Sequence, residues 1–380
     1  MRELRTEDFI AALEGEPHRR QRALLKPALS REAIARYVPR MVQTASRLVR
    51  CWQPGTSIRI KPAMQLLVAE QMAYAMTGRE AGERFHDAVT FAETLVGAGV
   101  AGTWPALMLR RPTYRAAKAR VVALMERVIA ERRAQGDRAP RAVAHDLLDT
   151  LLRAQSAGGE PLDDVALVVG AQLPYIAGMD TAAATCGFLL YALLKHPAVL
   201  EQVTAEVDIA FAGDTLDAAA LQRMPTLHAA AMETFRLYPV VSAAPRYAKH
   251  PFAFAGHRIE TGQMVLVSTT AAHFLPEFFP DPYSFDVERY RPPRSEHCRP
   301  GAFAPFAAGP HTCVASGVAE TVVLTTVATL LHSLRLRLDP PDYRLRTTIN
   351  PLPGPERRFA VRVVERRLPS YPRITSPHVR

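Results

Sequence analysis

Four cysteines in 380 residues, Cys51, Cys186, Cys298 and Cys313, are too few and too scattered to build a disulfide framework. None stands in CxxC spacing, which argues against a structural zinc site and fits a reducing, cytoplasmic setting. The opening residues, MRELRTEDFIAALEGEPHRR, are charged throughout and show no apolar core of a secretory signal and no visible membrane anchor. Internal repeats, low-complexity stretches and a Gly/Ser-rich linker are also missing, so one domain is expected. Acidic residues are in deficit, 37 Asp and Glu against 47 Lys and Arg, for a net charge of +10. Part of that excess is local. The Pro-containing tail RRLPSYPRITSPHVR carries four arginines and no acid, and it is expected to be loose over 366–380, leaving 1–365 as the folded domain. Without zinc-finger spacing or an array of stacking aromatics, nucleic acid is not an expected partner.

What is present is apolar residues, 48% of the chain, enough to bury a sizeable core. Helical periodicity runs over 32–48, 115–133, 166–194, 219–238 and 314–334. Strand-like pieces are short and few: PFAFAG, MVLVST and FAVRVVE. The expected class is mainly α with minor β. Over 165–194 Asp180 is the only charge, so a membrane span has to be weighed. Pro174, Gly178 and Asp180 near its middle, and the lack of a one-sided basic flank, favour a helix buried in a large protein. An ionisable group at such a depth usually has a task.

Near the C-terminus, PFAAGPHTCVASGVAETVVLTTVATLL reads as a Gly/Pro loop that delivers Cys313 to the start of a long apolar helix. Free N–H groups and partial positive charge at a helix start stabilise a thiolate. Taken alone, a single cysteine is more often a small buried hydrophobe. The surrounding pattern decides against that. Phe306-x-x-Gly309-x-His311-x-Cys313 resembles the haem-binding signature of the cytochrome P450 family. Two positions depart from it: Ala307 and Ala315 stand where the family usually has glycine, and each adds a methyl that could crowd the loop.

Three further motifs follow the family's order. Glu233-Thr-Phe-Arg236 resembles its ExxR motif, whose members share one helix face and can pair. Phe285-Asp-Val-Glu-Arg289-Tyr290 is similar to the segment whose arginine joins that pair, with Val287 in place of a proline. Ala177-Gly178-Met179-Asp180-Thr181 matches the oxygen-activation motif (A/G)Gx(D/E)T. Small residues at 177 and 178 would leave a groove for dioxygen, and Pro174 would loosen the helix there. Thr181 would offer a hydrogen bond in the groove while Asp180 relays protons from solvent.

The resemblance also implies partners for the haem propionates. His18 and Arg22 look like the HxxxR of an early helix, Arg246 is similar to the arginine after the ExxR helix, and His311 belongs to the cysteine loop. Only seventeen residues precede His18, where the family carries several tens, so an N-terminally shortened P450 fold is expected, from a late start or a fragment. What the resemblance implies is a monooxygenase with haem b that uses O2 on a small apolar organic substrate. Its electrons would come from a separate ferredoxin or flavoprotein reductase, and the protein would be a cytoplasmic monomer. Two rival readings are open: a degenerate haem-binding relative without turnover, and a thiol hydrolase using His311 and Cys313. The second suffers from a base only two residues from its nucleophile and no third group to orient it.

Overall fold

The computed structural model describes residues 10, 13–135, 146–154, 162–212 and 216–367. Among them the first helices are α1 (Gly15–Leu25), α2 (Arg31–Ala35), α3 (Val38–Val49) and α4 (Ile60–Thr77). Then come α5 (Phe85–Thr94), α6 (Pro112–Gln135), α7 (Leu147–Leu152), α8 (Asp164–Ala171) and α9 (Asp180–Lys195). The last four are α10 (Pro197–Ala210), α11 (Ala218–Gln222), α12 (Pro225–Leu237) and α13 (Ser316–Ser333). The strands are β1 (Ser57–Arg59), β2 (Ala243–Tyr247), β3 (Phe252–Phe254), β4 (His257–Ile259) and β5 (Met264–Ser268). They end with β6 (Leu334–Asp339), β7 (Thr347–Ile349), β8 (Pro353–Pro355) and β9 (Ala360–Arg366).

Proline decides where the periodic stretches break. It has no N–H to donate and is accepted only in a helix's first turn. Pro39 therefore splits the run over 32–48 into α2 and α3, and Pro225 splits 219–238 into α11 and α12. Pro174 interrupts the central run, where a π-helical turn, Pro174–Met179, stands between α8 and α9. Asp163 caps α8 by accepting from the Ala166 N–H, and Glu206 of α10 accepts from the first N–H groups of α12, Thr226 and Leu227.

All sheets are antiparallel and small. The largest has the order β1-β9-β6, with a bulge between Arg335 and Leu336, and the remaining strands pair as β2–β5, β3–β4 and β7–β8. One continuous core runs between α3, α4, α9 and α13, with Val68, Leu189, Leu193, Val322 and Val327 fully buried. The run Asp164–Lys195 is long and apolar enough to cross a membrane, but most of it is buried against the rest of the protein. The described residues run to Arg367. Arg366 donates to the carbonyls of Val49, Arg50 and Trp52, and Arg367 pairs with Asp208. Residues 368–380 of the tail lie outside the described residues.

Candidate active site

Cys313 ends a loop that closes on itself. Its N–H donates to the Phe306 carbonyl at 2.9 Å, and Thr312 donates to the Gly309 carbonyl from both N–H (3.1 Å) and Oγ1 (2.7 Å). Phe306 anchors the loop against Phe235 of α12, with ring centroids 5.0 Å apart. The turn requires left-handed backbone twice, at Gly309 (φ 73°) and at Ala307 (φ 63°). Glycine adopts this freely, whereas alanine pays about 1 kcal/mol for its Cβ. Ala315, at φ −106°, is in a conformation open to any residue. The two departures from the family pattern are thus unequal. Ala307→Gly is expected to stabilise the protein by about 1 kcal/mol in thermal unfolding, and a loss of stability would show instead that the methyl packs usefully.

The helix begins three residues after the cysteine, at Ser316, with Ala315 as its N-cap. Cys313 is open to solvent on one side and enclosed by protein on the others. Burial pushes its thiol up, and the Ala315 N–H and the charge of Arg22 only partly offset this. The helix end therefore does not ionise the sulfur unaided, as the sequence suggested it would. Ligation of a cation would do so.

Around this loop stand two histidines and two arginines, with Glu14 close by. His18 and His311 stack at 4.1 Å, and His311 feels the charges of Arg246 and Arg22. Arg22 donates from Nη1 to the Thr312 carbonyl at 2.5 Å, tying α1 to the cysteine loop. Among the described residues Arg246, on β2, makes a hydrogen bond only to its neighbour's carbonyl, that of Pro245. Among the described residues neither arginine has a carboxylate partner, and the nearby Glu14 pairs with Lys249. A cluster of that kind suits a ligand carrying carboxylates. No hydrogen bond among the described residues joins His311 to Cys313, which leaves the hydrolase without its base. Nor do any three His, Cys, Asp or Glu among them converge as a metal site.

On the central helix the motif divides between two sides. Ala177 is exposed in an otherwise buried stretch, and Gly178 and Thr181 are half-buried, so these three border an opening. Thr181 Oγ1 donates to the carbonyls of Ala177 (2.8 Å) and Gly178 (3.2 Å). Gly178 has a second reason to be small: a Cβ there would sit 2.2 Å from Met72 of α4. The Met72 side chain would have to shift to admit that methyl. Asp180 faces α4, where Gln65 Nε2 donates to its Oδ1 at 2.6 Å, and burial raises its pKa.

The expected ion network is present and fully buried. Glu233 accepts from Arg236 Nε (2.7 Å) and Nη2 (2.8 Å), and from Arg289 Nε (3.2 Å). Sequence reasoning missed three members. Tyr290 donates its hydroxyl to Glu233 at 2.8 Å, Glu296 accepts from Arg289 at 2.9 Å, and His273 joins the network to the cysteine loop. His273 donates from Nδ1 to the Arg236 carbonyl and accepts at Nε2 from the Ala304 N–H, two residues before Phe306. Glu296 and His273 lie in loops without a motif, so only the fold brings them in.

Burial holds the His273 pKa down at about 4, from an ordinary 6.5, so the ring is neutral in the folded protein. The unfolded chain takes up the proton first as pH falls. The stability this ring contributes is present above about pH 6.5 and drains away towards pH 4, by about 3 kcal/mol in all. His273→Gln, which cannot titrate, is expected to flatten the pH dependence of unfolding over that window. An unchanged slope would contradict the assignment.

A family model described as Cytochrome P450 matches residues 2–357. The cyclooctat-9-en-7-ol 5-monooxygenase of Streptomyces melanosporofaciens is 31% identical over 337 residues, 86% of this chain and 72% of that one. The sterol 14alpha-demethylase of Mycolicibacterium vanbaalenii is 33% identical over 201 residues, 52% of this chain and 44% of its own. Among solved structures, the cytochrome P450DA heme domain superposes with a TM-score of 0.83 at 27% identity, over 96% of this chain and 81% of that one.

Proposed function

The chain belongs to the cytochrome P450 family of haem-thiolate monooxygenases, and we propose that Cys313 is the residue through which it holds the iron. The reading is carried by one conjunction: an open thiol beside Arg22, Arg246 and the stacked rings of His18 and His311, where the two arginines have no acid partner among the described residues. Haem b carries what this set lacks, an iron for the sulfur and two carboxylates for the cations. Bound there, the haem would supply reductive O2 activation, which thiolate ligation would favour. Phe306 and Gly309 shape the loop, and Glu233, Arg236 and Arg289 hold it to α12.

On the central helix, Ala177 and Gly178 keep the surface low beside the opening. Thr181 turns its hydroxyl between its own helix carbonyls and the reacting oxygen, and Asp180 moves a proton towards it. The substrate is a small apolar organic molecule, of which the alcohol named in the Streptomyces relative is one instance. Electrons come from a ferredoxin or a flavoprotein reductase, whose acidic surface suits a chain of net charge +10. The protein works as a cytoplasmic monomer. Turnover is favoured over a haem-binding relative without it because the sequence carries both the thiol and the acid–alcohol pair.

The test is NADPH-driven oxidation with a surrogate ferredoxin and reductase. Wild-type protein is expected to form hydroxylated product, and Thr181→Ala to consume NADPH while product falls by roughly tenfold or more. Equal product from both would remove Thr181 from the reaction.

A further inference from the structure

Between α6 and α8 lies a cavity of about 660 Å³, open to solvent and of a size that holds a small organic molecule. From α6 it is bordered by Arg115, Lys118, Val122 and Glu126, positions three or four apart and therefore on one face of the helix. From the other side come Val165 and Val168 of α8 and Gln172, the residue that ends that helix. Arg110, in the turn before α6, closes one end. Neither the oxygen-groove residues Ala177, Gly178 and Thr181 nor any residue of the cysteine loop borders it, so this space is distinct from the site described above.

Charge is sorted along this trough. The acids lie towards one end: Asp164 pairs with Arg133 at 2.9 Å, and Glu126 stands eleven residues beyond Arg115, about 16 Å along α6. At the other end Arg110 and Arg115 are exposed and make no hydrogen bond or ion pair among the described residues, whereas Lys118 has a partner. Two solvated arginines would be ordinary surface by themselves. Gln172 is what ordinary surface does not explain. It is 2% exposed, it borders the cavity, and its Nε2 has no hydrogen-bond partner among the described residues. A buried amide without a partner is unfavourable, and a leucine would serve packing better at the end of an otherwise apolar α8 face.

We propose that the cavity between α6 and α8 is a second ligand site, and that it takes an organic acid with an apolar body. The carboxylate pairs with the guanidinium groups of Arg110 and Arg115, which present the planar donor pairs that a carboxylate matches. The body lies against Val122, Val165 and Val168, of which Val165 is 43% exposed without it. Gln172 gives its amide N–H to an oxygen of the ligand. The acids at the far end set the number of charges: Glu126 and Asp164 repel a second anionic group, so a molecule charged at one end fits and a polyanion does not. Binding is noncovalent and bridges α6 to α8, with no part taken by the iron site.

Calorimetric titration of the haem-loaded enzyme with 4-phenylbutyrate, and with 4-phenylbutanol as its neutral match, tests this. The acid is expected to bind about tenfold or more tighter than the alcohol. Arg110→Gln combined with Arg115→Gln, two exposed positions whose replacement leaves the fold intact, should bring the acid down to the affinity of the alcohol. Gln172→Leu should weaken the acid severalfold while the thermal midpoint of the unliganded protein stays level or rises, the opposite of what loss of a packing residue gives. The Soret band, followed in the same titrations, reports any ligand that reaches the haem instead. Equal affinity for acid and alcohol in the wild-type protein would overturn the proposal. Undiminished acid binding in the double arginine variant, with or without a Soret shift, would overturn it as well, by placing the acid elsewhere.

Discussion

Glu233→Ala is expected to abolish accumulation of folded protein. The carboxylate is completely buried and accepts five hydrogen bonds: two from Arg236, one from Arg289, one from the Tyr290 hydroxyl at 2.8 Å and one from the Asp286 N–H at 3.0 Å. Both arginines are themselves buried, so truncation strands two guanidinium groups away from water. Arg289 retains Glu296, but Arg236 is left with only the carbonyls of His273, Pro282 and Ser284. Breaking one buried pair from one side costs about 3–5 kcal/mol, against a total stability of roughly 5–15 kcal/mol. Loss here also releases the Arg236 carbonyl that orients His273, and with it the Ala304 end of the cysteine loop. Soluble yield, thermal midpoint and haem content are all expected to collapse together. A variant that folds with its cysteine loop intact would show that the network is dispensable.

How much of this was legible beforehand depended on how local each feature is. Helix and strand periods gave the class, and the prolines at 39, 174 and 225 explain every place where a periodic run breaks. The order of motifs located Cys313, Glu233, Arg236, Arg289, Asp180 and Thr181, because each belongs to a short pattern along one element. Residues recruited across the fold carried no such signal. Glu296 follows Arg289 by seven positions in an irregular stretch, and His273 sits in a short 3-10 turn, Ala271–Phe274. Gln65 and Glu93 look in sequence like ordinary polar positions, and only the packing of α4 and α5 against α9 gives them a carboxyl to serve. Gly178 shows the converse. Its smallness is expected to leave space for oxygen, and a Cβ there would also meet the end of the Met72 side chain.

Cys313→Ser has the sharpest spectroscopic consequence. The sulfur is the only cysteine in the loop, and its surroundings oppose a free thiolate, because burial outweighs the Ala315 N–H and Arg22. Iron ligation removes that opposition, since a coordinating thiol is deprotonated outright. A serine hydroxyl would be a far weaker ligand for the iron and would not favour O–O cleavage in the same way. The backbone of the loop should survive the change, because the bond from the residue 313 N–H to the Phe306 carbonyl does not involve the side chain. Spectrum and fold are therefore separable in this variant.

The absorption spectrum of the reduced, CO-treated protein tests the central assignment most directly. Wild-type protein is predicted to give the strongly red-shifted Soret band of thiolate ligation, and Cys313→Ser to lose it while remaining folded. The same red-shifted band in both proteins, or no bound haem in folded wild-type protein, would contradict the assignment of Cys313 as the iron ligand.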